Sequence, residues 1–204
     1  MFELVLGTGN RHKVAELKEM LPQESLRFIS LADIANSIDV NETGETFAEN
    51  ARLKAIEQAI HLGRWVLAED SGLSVDALGG RPGVFSARFA GTHGDDEANN
   101  RLLIHELNSI PNDRRGASFT CHIAVANPSG HVVLEATGIC RGVIAKAPSG
   151  QGGFGYDPLF IIPEYHLTFA QLGPAVKNVL SHRSRALRQL VPHLVPLIQQ
   201  QTET

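Results

Sequence analysis

Residues 117–143 read ASFTCHIAVANPSGHVVLEATGICRGV. Two apolar runs, Ala117–Ala126 and Val132–Val143, flank the turn tetrapeptide Asn127-Pro128-Ser129-Gly130. Strand-forming runs on either side of an Asn/Pro/Gly turn predict a hairpin of two long strands. Upstream the pattern alternates instead. Glu3–Gly7 predicts a short buried strand, and Asn10–Leu21 a helix with Val14, Leu17 and Leu21 on one face and Pro22 behind it. Leu26–Ile29 predicts a second strand, and 31–45 a mixed, acidic loop. Thr46 and Glu49 form a capping box that opens a helix to about Leu62. That helix carries Phe47, Ala51, Ala55 and Ala59 at i, i+4 spacing and ends at Gly63. Trp65–Ala68 predicts an apolar strand and Asp95–Asn108 a helix behind an Asp cap. Beyond the hairpin, Leu159–Ile162 predicts a short strand, and 174–198 a helix interrupted near Ser181 and bent near Pro192. Alternating strands and helices followed by a hairpin predict an α/β protein with a mixed sheet. No linker composition breaks the chain, so residues 1–204 read as a single domain.

Composition narrows the function classes. The chain has 204 residues, 43% hydrophobic and 20% charged, which excludes a disordered protein. No apolar run reaches the ~18 residues needed to span a membrane. Met1-Phe2-Glu3-Leu4 lacks the basic stretch of a signal peptide. Cys121 and Cys140 form neither a disulfide framework nor a metal-site spacing, and no two of the nine histidines have zinc spacing. A reducing, cytoplasmic setting follows. A net charge of −4 argues against binding a nucleic-acid polymer, so any anionic ligand needs local positive charge. There is no Gly-x-Ser-x-Gly elbow of a serine hydrolase.

Four constellations could carry chemistry. Gly7-Thr8-Gly9-Asn10-Arg11-His12-Lys13 joins a strand to a helix, where backbone N–H groups attract phosphate and Lys13 adds charge. It lacks the third glycine of a dinucleotide fingerprint and the Gly-Lys-Ser/Thr ending of a P-loop, and an ordinary capped turn reads the same way. Glu69-Asp70-Ser71-Gly72 ends an apolar strand, the usual place for a ligand-facing carboxylate in an α/β sheet. Successive strand residues point to opposite faces, so Glu69 and Asp70 take different jobs. A hard divalent cation would accept one of them together with Glu42; a solvated acidic turn is the plainer alternative. Gly152-Gly153-Phe154-Gly155-Tyr156-Asp157-Pro158 offers either two flat faces to a planar ligand or a glycine turn whose rings fold into the core. Lys177, Ser181, His182 and Arg183 gather donors near a helix restart, or else form a basic solvated face. Lys54, two turns into the helix, could reach an anion, though an ordinary surface lysine is the commoner case, and the capping box accounts for Glu49.

The order of these motifs is more specific than any one of them. Thr8-Gly9-Asn10-x-x-Lys13 is followed by Glu42-Thr43-Gly44-x-Thr46-Phe47-x-Glu49-Asn50-Ala51 and by Glu69-Asp70-Ser71-Gly72-Leu73. Leu78-Gly79-Gly80-x-Pro82-Gly83 and Ser86-Ala87-Arg88 come next, then the 152–158 segment and Ser181-His182-Arg183. From residue 4 to about 190 the chain resembles the inosine triphosphate pyrophosphatase family, the bacterial dITP/XTP pyrophosphatases. The resemblance implies a long, bent mixed sheet flanked by helices, two lobes around a central cleft, and a homodimer. It implies Mg²⁺-dependent hydrolysis of ITP, dITP or XTP to the monophosphate and pyrophosphate. By motif match, Thr8, Gly9, Asn10, Arg11, His12 and Lys13 would hold phosphates, and Asp70 would be general base and, with Glu42, metal ligand. Ser71, Phe154, Gly155, Tyr156, Asp157, Lys177, His182 and Arg183 would contact the substrate. Asn41 stands where the family pattern has an acid, and 171–176 lacks the usual acidic residues. A non-catalytic nucleotide binder, or a pyrophosphatase for modified pyrimidine nucleotides, is the competing reading.

Overall fold

The computed structural model describes residues 2–22 and 26–202; Met1, part of the N-terminal stretch read above, lies outside them. Seven strands, β1 (Phe2–Leu6), β2 (Leu26–Ser30), β3 (Val66–Val75), β4 (Gly116–Ala126), β5 (Val132–Ile144), β6 (Phe160–Ile162) and β7 (Leu167–Thr168), form one sheet. The sheet order is β2-β1-β3-β4-β5-β6-β7. β1 pairs in parallel with β2 and β3, whereas β6 is antiparallel to both β5 and β7, so the sheet is mixed as expected. The helices are α1 (Arg11–Met20), α2 (Phe47–Leu62), α3 (Asp96–Glu106), α4 (Phe169–Leu180) and α5 (His182–Thr202).

The chain divides into two compact units, the first built from 1–70, 121–138 and 183–204 and the second from 71–120 and 139–182. In the first unit, strand alternation sorts the core into two layers. Leu4, Leu6, Leu67, Cys121, Ile123 and Val125 point to one side, where Leu17 of α1 and Leu187, Leu190 and Leu194 of α5 cover them. Val5, Val66, Ala68, Ala124 and Ala126 point to the other side and meet Ala51, Ala55 and Ala59 of α2. An all-alanine stripe lets that helix lie close to the sheet. In the second unit Leu73, Val75, Phe119, Cys140 and Ile144 pack with Leu103 of α3 and Leu107 that caps it, Phe160, and Phe169 of α4.

Two boundaries differ most from the sequence reading, besides shifts of up to four residues at other element ends and the short β7, which it did not foresee. β3 does not stop at Ala68 but continues through Glu69-Asp70-Ser71-Gly72 to Val75, because Leu73 and Val75 resume a fully buried apolar pattern. α4 starts at Phe169, ahead of Pro174, because Thr168 and Gln171 form a second capping box. Gly173 (φ 79°, ψ 172°) breaks the helical path just before Pro174, and extended Ser181 separates α4 from α5.

Candidate active site

In the first unit the Thr8–Lys13 segment folds as a capped strand-to-helix turn. Asn10 is the N-cap of α1, and its Oδ1 accepts from the N–H groups of His12 (2.9 Å) and Lys13 (3.2 Å). Thr8 Oγ1 accepts from Asn10 N, while Gly9, Asn10, Arg11 and His12 are exposed. The Lys13 ammonium reaches inward to Glu69 Oε1 at 3.2 Å.

Glu69 and Asp70 do go to opposite sides of β3. Glu69 is fully buried and accepts from Arg183 through Nε (2.8 Å) and Nη2 (2.9 Å). Cys121 donates its thiol to the same carboxylate, and Arg183 also pairs with Glu16. Burial alone would raise the Glu69 pKa, but Arg183 and Lys13 overcome it and hold the carboxyl well below the ordinary range. The Cys121 thiol is pushed well up by burial and by that carboxylate, so it stays a neutral donor. Arg183 was expected to contact substrate; its guanidinium instead lies in this buried network, 1% exposed.

Asp70 faces α2. Its Oδ1 lies 3.0 Å from Lys54 Nζ, and its Oδ2 accepts from Asn50 Nδ2 at 3.3 Å. The same Lys54 ammonium lies 3.0 Å from Glu42 Oε1. Burial raises the Asp70 pKa, and Lys54 and Lys13 only partly offset it. Lys54 is charged, since Asp70 and Glu42 outweigh its burial. Two carboxylates thus converge on one cationic point, which is the donor set that a hard divalent ion requires. Among the described residues no group of three or more His, Cys, Asp or Glu could hold a metal ion, so a divalent ion here would draw its remaining oxygen ligands from water or substrate.

In the second unit the glycine segment is a tightly tied loop. Asp157, 2% exposed, accepts from Phe154 N at 2.9 Å and pairs with Lys177 Nζ at 2.5 Å. Gly153 has φ +77°, and a Cβ there would sit 2.0 Å from Asp157 Oδ2, so both conformation and space demand glycine. Lys177 Nζ also lies 4.2 Å from the Phe154 ring centroid. Gly155 is held at both ends of its peptide, its N–H by Asp96 (2.6 Å) and its carbonyl by Asn100 (2.9 Å). Tyr156 departs from the expectation of a presented face: its ring is 4% exposed and its hydroxyl donates to the Ser86 carbonyl. Phe154 stays half-buried. His182 is buried and stacks on Phe119 at 4.8 Å. Ser71 follows Asp70 in β3, half-buried.

Sequence reasoning gave Asn50 no site role, favoured a surface place over an anion-reaching one for Lys54, and did not single out Asp96 or Asn100. A signal for the first two existed: Asn50, Lys54 and Gln58 form an i, i+4 polar stripe directly beside the Ala51-Ala55-Ala59 stripe, so they flank the buried face rather than oppose it.

The profile of the Ham1 family matches residues 4–193. A Rhodopirellula baltica protein named dITP/XTP pyrophosphatase is 63% identical over 199 residues, 98% of this chain and 96% of its own. A Listeria monocytogenes protein of the same name is 43% identical over the whole of both chains. The solved Ham1 protein of Coxiella burnetii superposes with a TM-score of 0.87 at 41% identity, covering 96% of this chain and all of its own. That of Staphylococcus aureus gives 0.84 at 38% identity, covering 95% and 98%.

Proposed function

The chain belongs to the Ham1 family, and we propose that it hydrolyses non-standard purine nucleoside triphosphates, ITP, dITP and XTP, to the monophosphate and pyrophosphate. What carries the reading is its near-full-length likeness to proteins named for that activity, on a chain that also holds paired carboxylates and a cationic turn. Glu42 and Asp70 would hold Mg²⁺, which supplies charge neutralisation on the phosphates and makes bound water more acidic. Asp70 would accept the proton of the attacking water. The α1 turn and Lys13 receive phosphate oxygens, and Lys54, already between the two carboxylates, balances the remaining charge. On the second unit, Asp157 and Lys177 hold the Phe154 loop, which presents the half-buried ring to a purine face. Donors at the 6-oxo group, from His182 or loop N–H groups, reject adenine because a 6-amino group leaves a buried donor unpaired. The protein acts as a cytoplasmic homodimer in this reading; its two buried cysteines are not disulfide-bonded, which suits a reducing compartment.

The test is pyrophosphate release from ITP, dITP, XTP, ATP, GTP and a modified UTP, with and without EDTA. Release from the oxo-purines alone, abolished by EDTA and lowered about 10²- to 10⁴-fold in kcat by Asp70→Asn, is the expected outcome. Equal release from ATP, or activity surviving chelation, overturns it. Tight ITP binding without product would favour a non-catalytic binder, and release from the modified pyrimidine alone would favour the other pyrophosphatase.

A further inference from the structure

We infer that Asn50 is a positioning residue that sets the spacing between the two metal-holding carboxylates, an inference that rests on the reading of Glu42 and Asp70 as Mg²⁺ ligands. Its carboxamide is 1% exposed and makes two bonds in different directions. Oδ1 accepts from Gly44 N at 2.8 Å, and Nδ2 donates to Asp70 Oδ2 at 3.3 Å. The backbone N–H dictates the amide orientation, since only the oxygen can accept there and only the nitrogen can donate to a carboxylate. The Glu42-Thr43-Gly44 stretch lies outside every helix and strand, and Asn50 holds its Gly44 end. Asn50 therefore ties the arm carrying Glu42 to the strand carrying Asp70. Lys54, one helical turn further along α2, joins the same two carboxylates from the other side.

The turn is built for this contact. A Cβ on Gly44 would lie 2.7 Å from Asn50 Oδ1 and 2.6 Å from Glu49 Cβ, so any side chain there pushes the arm off the amide. No other side chain of this length serves: aspartate puts a second negative charge beside Asp70, and leucine leaves Gly44 N–H and Asp70 each short of a partner. Groups that orient metal ligands without touching the metal typically carry about 10- to 100-fold of its affinity.

The full-length protein is titrated with Mn²⁺ without nucleotide, and free Mn²⁺ is read by electron paramagnetic resonance. Thermal melting checks that each variant is folded. Asn50→Ala and Gly44→Ala should each weaken Mn²⁺ about 10-fold or more, and the double variant should be no worse than the weaker single, because both remove one contact. An unchanged affinity in folded Asn50→Ala overturns the inference. If that variant does not fold, an unchanged affinity in Gly44→Ala overturns it equally. Absent Mn²⁺ binding in the wild type, or binding insensitive to Glu42→Gln and Asp70→Asn, would instead remove the metal assignment itself, and the tether with it.

Discussion

At Glu69 a carboxylate with no exposed surface meets two charged donors and a thiol, and none of that is visible in the tetrapeptide Glu69-Asp70-Ser71-Gly72. Strand alternation made it legible that the two acids part company. It did not reveal the partner of either, because Arg183 lies 114 residues from Glu69 and pairing over such a distance leaves no local pattern. Glu69→Gln should cost about 3 to 5 kcal/mol, the usual consequence of leaving a buried guanidinium short of its carboxylate. The pH dependence has a definite sign. The native pKa of Glu69 is depressed, so its contribution is present above the ordinary unfolded carboxylate value of about 4.3 and is lost as pH falls through the lower native value. Chemical denaturation at pH 7 and at successively lower pH should show wild type and Glu69→Gln converging in acid. A gap that stays constant, or is absent at pH 7, overturns this account.

At the scale of the element, α2 shows what periodicity can and cannot reveal. Its limits were legible from Thr46, Glu49 and Gly63, and the structure has the capping box and a left-handed Gly63 at φ 60°. The alanine stripe was legible as well. The neighbouring polar stripe was legible as a pattern, but what buries it was not, because that cover is 38–44, an aperiodic stretch that gives no sign of folding over the helix. Gln58 donates to the Ile38 carbonyl, Asn50 accepts from Gly44, and Lys54 binds Glu42, so three successive turns of one helix hold one loop. Ala55, wholly buried against the sheet, sits amid these turns. Ala55→Leu would drive α2 outward, with an overpacking cost of about 1 to 3 kcal/mol, measured by denaturant midpoint. A midpoint equal to wild type would mean that the helix is not seated closely on the sheet.

At the scale of the molecule, the mixed sheet and nearly every helix were legible in the residue pattern, whereas two lobes were implied only by the family resemblance and no composition marked where the two compact units divide. Sequence reading looks for boundaries in linkers, and here the division falls inside β3, β4 and β5, whose apolar runs continue across it. The first unit is assembled from three separate stretches of chain, the last beginning at Arg183. That stretch supplies Ala186, Leu187, Leu190, Leu194 and Ile198 to the core as well as the guanidinium on Glu69. A fragment ending at residue 182 should therefore lack a cooperative melting transition by circular dichroism; one like that of the full chain would show that α5 is dispensable. The same dependence has a meaning during biosynthesis. At ~5 to 20 residues per second, roughly 6 to 23 s separate the making of Glu69 from the making of its arginine. Through that interval the nascent first unit has Lys13 but not the arginine to answer Glu69, and the sheet face that α5 covers stays open, so the first unit cannot close its core until α5 has been made.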